Sequence, residues 1–275
     1  MHAIFSGVVW TPAADMARIH AVFFEFFEEI RRLESLLSRF VEDSDVARMR
    51  RMRKGESIPI SPETYHCLEW AMIAQEATFG YFDVAYASSP HSGTAFSLQK
   101  GPFRITSCVE NLHVDFGGIG KGFALDHASH LPVEYGVNSF LLMADSSTIL
   151  VGGDPVTENA WDVTLQSSRG GCEWILPVRS GAVSCSGIGV RGEHLFNPHR
   201  SAYLSRMERS YVWAKNATLA DAFSTALALM PEVVRDDFLS SAVARRYGVE
   251  MLSELAEHVP TERMQNDTTE SEPPR

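Results

Sequence analysis

A glycine-dense segment, VDFGGIGKGFALDHA at residues 114–128, constrains the fold more than any other stretch of this chain. Three glycines lie just before Lys121: Gly117, Gly118 and Gly120. Glycines leave backbone amides accessible, and amides at a helix start can bind a phosphate. The spacing fits neither common phosphate motif, because Gly122 replaces the Ser or Thr of a P-loop and Phe123 replaces the third glycine of a dinucleotide fingerprint. A turn that serves only helix–strand packing is the alternative interpretation.

Charge and composition limit the classes of binding partner and the cellular location that we expect. The 275 residues carry 24 basic and 35 acidic side chains, a net charge of −11, which argues against nucleic acid and anionic membranes as partners. The N-terminal MHAIFSGVVW lacks the features of a signal peptide, and no apolar run is long enough to span a membrane. We therefore expect a cytoplasmic protein without membrane insertion. Four cysteines form no C-x-x-C pair and are expected to be reduced: Cys67, Cys108, Cys172 and Cys185.

A second segment, ADAFSTALALM at residues 220–230, offers oxygen ligands. Asp221 and Thr225 are four residues apart, so on a helix they share one face. A carboxylate and a hydroxyl placed in this way suit Mg²⁺, which prefers hard oxygen donors. The alternative is an acidic residue that stabilises the first turn of a helix.

Periodicity and turn residues predict the remaining elements. Helices are expected at residues 13–39, at 61–79 behind a Ser-Pro start, and at 123–135 with a break at Pro132. Residues 38–57 are charged and typical of turns. Strands are expected at residues 103–105, 112–114, 140–151 with an interruption at 144–147, 161–166 and 173–178. The polar segment from about residue 260 has almost nothing to bury and is expected to be disordered.

Five segments occur in one order: ESLLSRFVEDSDVARMRR, GYFDVA, the glycine-dense segment, AVSCSGIGVRGEHLFNP and ADAFSTALALM. In this order the chain resembles the flavin transferase (ApbE) family, the FAD:protein FMN transferases, over about residues 1–250. The resemblance implies an α+β fold of mostly antiparallel sheets with flanking helices, in two lobes with the site between them. It also implies one domain at residues 1–258, followed by a disordered tail at 259–275.

The resemblance implies a role for each matching residue. Gly118, through its carbonyl, would hold Mg²⁺ together with Asp221 and Thr225. The catalytic residues would be His194, which takes a proton from the acceptor hydroxyl, with Lys121 and Asp221. The residues expected to bind FAD are Phe82, Asp83, Asp115, Gly117, Gly118, Lys121, Ser147, His194 and Leu195. The implied acceptor is another flavoprotein with a D-x-x-[ST]-G-A-[ST] type segment, which this chain itself lacks.

The sequence departs from the family pattern at three places. Asn197 replaces an aspartate, Cys185 replaces a threonine, and residues 144–147 replace a glycine pair followed by Asp or Asn. Each departure could reduce activity. Two other functions therefore stay open: a Mg²⁺-dependent FAD diphosphatase, in which water attacks, and a flavin-binding protein without catalysis.

Overall fold

The computed structural model describes residues 3–11, 15–88, 94–153, 160–166, 173–187, 196–199, 202–203 and 209–252. Its helices are α1 Met16–Leu37, α2 Asp45–Met49, α3 Pro62–Ala77, α4 Gly120–Ala128, α5 His130–Glu134, α6 Ala217–Leu229, α7 Glu232–Leu239 and α8 Ala242–Tyr247. Its strands are β1 Phe5–Trp10, β2 Ser57–Pro59, β3 Phe96–Gln99, β4 Arg104–Ser107, β5 Ser139–Ala144, β6 Thr148–Gly152, β7 Trp161–Gln166, β8 Glu173–Val178, β9 Gly181–Ser186, β10 Phe196–Asn197, β11 Ala202–Tyr203, β12 Ser210–Ala214 and β13 Glu250–Leu252.

The central sheet has six antiparallel strands in the order β1-β5-β6-β9-β12-β13. Side chains alternate between the two faces of a strand, so each strand contributes to two apolar clusters. Ala182 of β9 belongs to the larger cluster with the helices, whereas Val183 belongs to a smaller cluster with the β7–β8 hairpin. The sheet is therefore covered by helices on one face and by the hairpin on the other.

A second sheet, β2-β4-β3, shares the larger apolar cluster with the helices, and β10 and β11 form a separate pair. These antiparallel sheets with flanking helices confirm the predicted fold class. The division into a domain at residues 1–258 and a tail remains a prediction, because residues 253–275 lie outside the described part of the chain. No helix within the described ranges is both long and apolar enough to cross a membrane.

Helix ends follow the capping signals of the sequence. Ser61 accepts a hydrogen bond from the Thr64 amide and Pro62 fills the first turn of α3, while Gly80 after this helix has a positive φ of 79°. In α1, the buried positions are Val22, Phe26, Ile30, Leu33 and Leu37, a helical stripe that faces the core.

Three predicted elements were wrong. Residues 112–114 form no strand, because none of the strands in the described ranges pairs with them. The predicted single helix over residues 123–135 is two helices, and the break falls at Ser129 rather than at Pro132, which fits inside α5. The segment predicted as turns contains α2, which Ser44 caps and an Asp45–Arg48 ion pair supports.

Candidate active site

The centre of the site is the Asp221 side chain, which is only 1% exposed in the second turn of α6. Its Oδ1 atom lies 3.2 Å from Lys121 Nζ, and its Oδ2 atom accepts a hydrogen bond from the Gly122 amide at 3.1 Å. Thr148 and Ser184 place their hydroxyls 3.4 Å and 3.3 Å from Oδ1. A buried carboxylate is tolerated only when it is well paired, and four donor groups meet this need. Asp221 is therefore not a first-turn dipole residue, which was the alternative interpretation.

Lys121 connects this carboxylate to the glycine-dense segment. Its ammonium group also donates to the Gly117 carbonyl oxygen at 3.4 Å. The backbones of α4 and α6 approach so closely that a Cβ atom on Gly122 would overlap the Ala217 carbonyl. The position of Lys121 relative to Asp221 is therefore set by contact between two helix backbones.

Of the three predicted metal ligands, Asp221 and Thr225 lie one turn apart on α6, and Thr225 contacts the Gly118 position. A Cβ atom on Gly118 would lie 3.0 Å from Thr225 Oγ1, so the hydroxyl of Thr225 faces the glycine turn. Thr225 Oγ1 also donates to the Asp221 carbonyl and lies 3.0 Å from Ser186 Oγ. All these donors are oxygens, which suits Mg²⁺. No cluster of three or more His, Cys, Asp or Glu side chains fit to hold a metal occurs among the described residues, so a cation here would depend on one carboxylate, a hydroxyl, a carbonyl and its own waters.

Asp115 is held at the mouth of the glycine turn. Its Oδ2 atom accepts from Arg39 Nη1 at 2.7 Å and lies 3.5 Å from the Tyr86 hydroxyl, while its Oδ1 atom accepts from the Gly117 amide at 2.9 Å. The Gly120 amide donates to the Phe116 carbonyl. The amides of Gly117 and Gly120, which were expected to bind phosphate, thus donate hydrogen bonds within the turn itself. Arg39, which sequence reasoning did not assign, adds a half-exposed cation at this mouth.

The other described candidates have clear local roles. Phe82 is buried, and its ring packs against the turn, 3.2 Å from the Cβ position of Gly118. Asp83 Oδ1 accepts from the Ala85 amide, which is typical of a turn aspartate. The Ser147 carbonyl accepts from the Cys185 amide and lies 3.2 Å from the Ser184 hydroxyl oxygen. His194 and Leu195 lie outside the described residues, so their predicted roles stay predictions.

Asp126, near the end of the glycine-dense segment, stabilises the helix that carries Asp221. It accepts hydrogen bonds from the Ala217 and Thr218 amides at 2.8 Å, both in the first turn of α6, and from the Thr218 hydroxyl. Burial raises the pKa of Asp126 to about 6, although these hydrogen bonds oppose the change. Sequence reasoning gave Asp126 no role, and its place in the motif was the only available signal.

Buried groups around Asp221 have perturbed acidity. Cys67 on α3 is fully buried, and burial, assisted by the nearby Asp221 charge, raises the pKa of its thiol well above the ordinary value. This thiol is therefore protonated at neutral pH and is not a nucleophile. Cys108 and Cys185 are also free thiols, and Cys172 lies outside the described residues.

Asp221 and the four groups that reach its carboxylate, from Lys121, Gly122, Thr148 and Ser184, form what we call the Asp221 cluster. The departures from the family pattern at Cys185 and Asn197 do not change this cluster. Ser184 and Ser186 point toward α6, so Cys185 points to the opposite face of β9, toward Tyr211. Asn197 is buried, donates through Nδ2 to the Leu229 carbonyl at 3.2 Å and accepts through Oδ1 from the His199 amide at 3.0 Å. It ties its loop to the C-terminal end of α6.

The third departure places a non-glycine residue in a glycine-like conformation. Asp145 has a φ of 51°, a value that aspartate tolerates better than most residues. Its carboxylate accepts from the Ile4 amide at 2.9 Å, and its own amide donates to the Ile4 carbonyl. The β5–β6 turn is therefore held without glycine.

Solved structures with the same fold include several flavin transferases. The flavin transferase ApbE from Vibrio cholerae superposes with a TM-score of 0.72 at 17% identity, over 90% of this chain and 93% of that one. The ApbE protein of Thermotoga maritima superposes with a TM-score of 0.73 at 20% identity, over 90% of this chain and 94% of that one. The flavinyl transferase ApbE of Pseudomonas stutzeri superposes with a TM-score of 0.70 at 20% identity, over 90% of each chain.

No curated protein sequence matches this chain. The model of the ApbE family, in contrast, matches residues 6–246. This match covers most of the 275 residues and includes every element that contributes to the Asp221 cluster. The chain therefore belongs to the ApbE family.

Proposed function

We propose that this protein is a Mg²⁺-dependent FAD:protein FMN transferase, which moves FMN from FAD to a threonine or serine hydroxyl of an acceptor flavoprotein. The observation that carries the proposal is the buried Asp221 carboxylate, paired with Lys121 beneath the glycine turn and one helical turn from Thr225. A protein of net charge −11 needs such a local arrangement to receive the pyrophosphate of FAD. Family membership and the named activity of the structural relatives support the same reaction.

In the proposed reaction the acceptor oxygen forms a bond to the FMN phosphorus while the phosphorus–oxygen bond to AMP breaks. The hydroxyl proton passes to a base, for which we propose His194, and AMP leaves with the bridging oxygen. Lys121 would neutralise phosphate charge, and Asp115, Phe82 and Asp83 would orient the nucleotide. Asp221, Thr225 and the Gly118 carbonyl would hold Mg²⁺. When bound, this ion would offset the charge that develops on the phosphate oxygens.

The acceptor is proposed to present a D-x-x-[ST]-G-A-[ST] type segment, since the reaction requires an exposed hydroxyl in a recognisable sequence. Gly117, Ser147 and Leu195 complete the set of residues proposed to contact FAD. The cytoplasmic location expected from the sequence stays a prediction.

The reaction can be tested by mixing the protein with FAD, Mg²⁺ and an acceptor domain that an active flavin transferase is known to label. Intact mass should show the acceptor gaining one FMN, with one AMP released for each acceptor labelled. Release of AMP without labelling would support the FAD diphosphatase instead. Bound FAD with no AMP would support a flavin-binding protein without catalysis.

Asp221→Asn tests the central residue with little change of shape. We expect the rate of transfer to fall about 100-fold or more, because an amide cannot supply the charge that the cation requires. Asp236→Asn is the matched control, since Asp236 is exposed on α7 and is not one of the proposed site residues. Full transferase activity in Asp221→Asn would contradict the metal assignment.

A further inference from the structure

Two buried hydroxyls lie directly behind Asp221, and the sequence assigned neither a role. Thr148 begins β6 and Ser184 lies in β9, where the two residues are paired across the central sheet. Both are fully buried, and their oxygen atoms are 3.1 Å apart. Each oxygen is also within hydrogen-bonding distance of Asp221 Oδ1.

The hydroxyl protons of Thr148 and Ser184 have few acceptors to choose from. Each hydroxyl has one proton to donate. The acceptors in reach are Asp221 Oδ1, the other hydroxyl of the pair and, for Ser184, the Ser147 carbonyl and the Ser224 hydroxyl. A carboxylate is a stronger acceptor than a neutral carbonyl or hydroxyl, and a buried carboxylate is stabilised by each donor that reaches it. At least one of the two protons is therefore directed to Oδ1.

The remaining donors approach the carboxylate from the other side of the site. The Gly122 amide of α4 donates to Oδ2, and Lys121 lies close to both oxygens. The hydroxyls on the sheet and the amide on α4 thus fix the plane of the carboxylate between them. A side chain held at both oxygens cannot rotate freely, and its orientation toward Thr225 on the next turn is set by the fold.

We propose that Thr148 and Ser184 are positioning residues that hold the Asp221 carboxylate in the orientation required for a divalent cation. The inference rests on the proposed function, because it concerns the same cation site. The hydroxyls do not contact the ion or FAD themselves. They act through Asp221, as outer hydrogen-bonding partners do in metal sites generally.

The test uses the full chain and Mn²⁺ as the probe, with bound Mn²⁺ measured by the loss of its free electron paramagnetic resonance signal. Thr148→Val removes one hydroxyl at nearly constant shape, and Ser184→Ala removes the other. We expect each change to raise the Kd for Mn²⁺ roughly tenfold, in the presence and in the absence of FAD. In the double variant, the increase in Kd for Mn²⁺ should be smaller than the product of the two single increases, because the hydroxyls share one acceptor.

Two further variants separate positioning from simple stability. Thr148→Ser keeps the hydroxyl and loses only a methyl group, so it should bind Mn²⁺ nearly as well as the parent protein even if it melts at a lower temperature. Ser210→Ala is the matched control. Ser210 is a buried serine on the next strand, β12, and its hydroxyl has no hydrogen-bond partner within the described ranges. We expect no change in its Kd for Mn²⁺.

The outcomes distinguish two kinds of failure. If Asp221→Asn abolishes Mn²⁺ binding while Thr148→Val, Ser184→Ala and their double variant bind normally, the positioning role is wrong and the metal site stands. If the parent protein binds no Mn²⁺, or binds it equally well after Asp221→Asn, the metal site itself is wrong and the inference fails with it.

Discussion

At the scale of single residues, Asn197 leads to a prediction opposite to the one that the family pattern suggests. Its buried amide donates to the Leu229 carbonyl, and a carboxylate at this position could not donate. Asn197→Asp should therefore lower the free energy of unfolding at pH 7 by roughly 2 kcal/mol, the cost of two buried acceptors that face each other. Urea unfolding would measure this loss. Asn138→Asp, at an exposed position, should change little, and equal stability of Asn197→Asp and the parent protein would contradict the structural role.

Single residues also show how far the sequence could predict the site. Asp221, Thr225, Gly118 and Lys121 were predicted from their motifs, and the fold brings them together because the backbones of α4 and α6 are in contact at Gly122. The sequence alone could not show which face of its strand Cys185 occupies, so its departure was expected to reduce activity. Side chains alternate along β9, and Cys185 therefore points to the face opposite Ser184 and the site. The pairing of Thr148 with Ser184 could not be predicted, because it depends on the register between two strands.

At the scale of elements, the cap of α6 makes stability depend on pH. Asp126 and Asn216 together accept hydrogen bonds from the first three amides of this helix. Burial raises the pKa of Asp126 from 3.8 to about 6 in the folded protein. The folded state therefore keeps this proton at pH values where the unfolded chain has released it. The associated stability is complete below about pH 3.8 and is lost as the pH rises through 6.

Asp126→Asn, which does not titrate, isolates this effect. The difference in unfolding free energy between the parent protein and the variant should shift against the parent protein by about 2 kcal/mol between pH 4 and pH 6.5, following the pKa change of Asp126. Urea unfolding at closely spaced pH values would measure the difference. Other acids titrate equally in both proteins and cancel. A difference that does not vary with pH would contradict the raised pKa.

Elements with strong local signals were predicted and the others were not. Helix α3 has a cap, a first-turn proline and a terminal glycine, and the structure confirms it within two residues at each end. Residues 112–114 have an alternating pattern but no partner strand in the part of the chain that the structure describes, and a strand requires a partner to which it is hydrogen-bonded. Helix α2 is five residues long, too short for periodicity to reveal it.

At the scale of the whole molecule, the net charge of −11 acts on an anionic substrate before it reaches the site. We expect the association rate constant for FAD to rise on the order of twofold between 10 mM and 150 mM KCl, because salt screens the long-range repulsion. Stopped-flow measurement of flavin fluorescence would show this. Riboflavin, which is uncharged, is the control and should show no dependence. A rate that falls with salt would mean that Arg39 and Lys121 dominate the local field instead.

Asp221 and the groups around it come from four segments that are far apart in the chain. Lys121 is 100 residues from Asp221, and Thr148 and Ser184 are 73 and 37 residues from it. A short fragment of the chain therefore cannot form the proposed cation site, and neither can the unfolded chain. A ligand that binds only the folded state adds to its stability, by about 2.7 kcal/mol when the free ion is at 100 times its Kd. Under the proposed function, the supply of divalent cation would govern not only how fast this protein works but how long each molecule survives proteolysis.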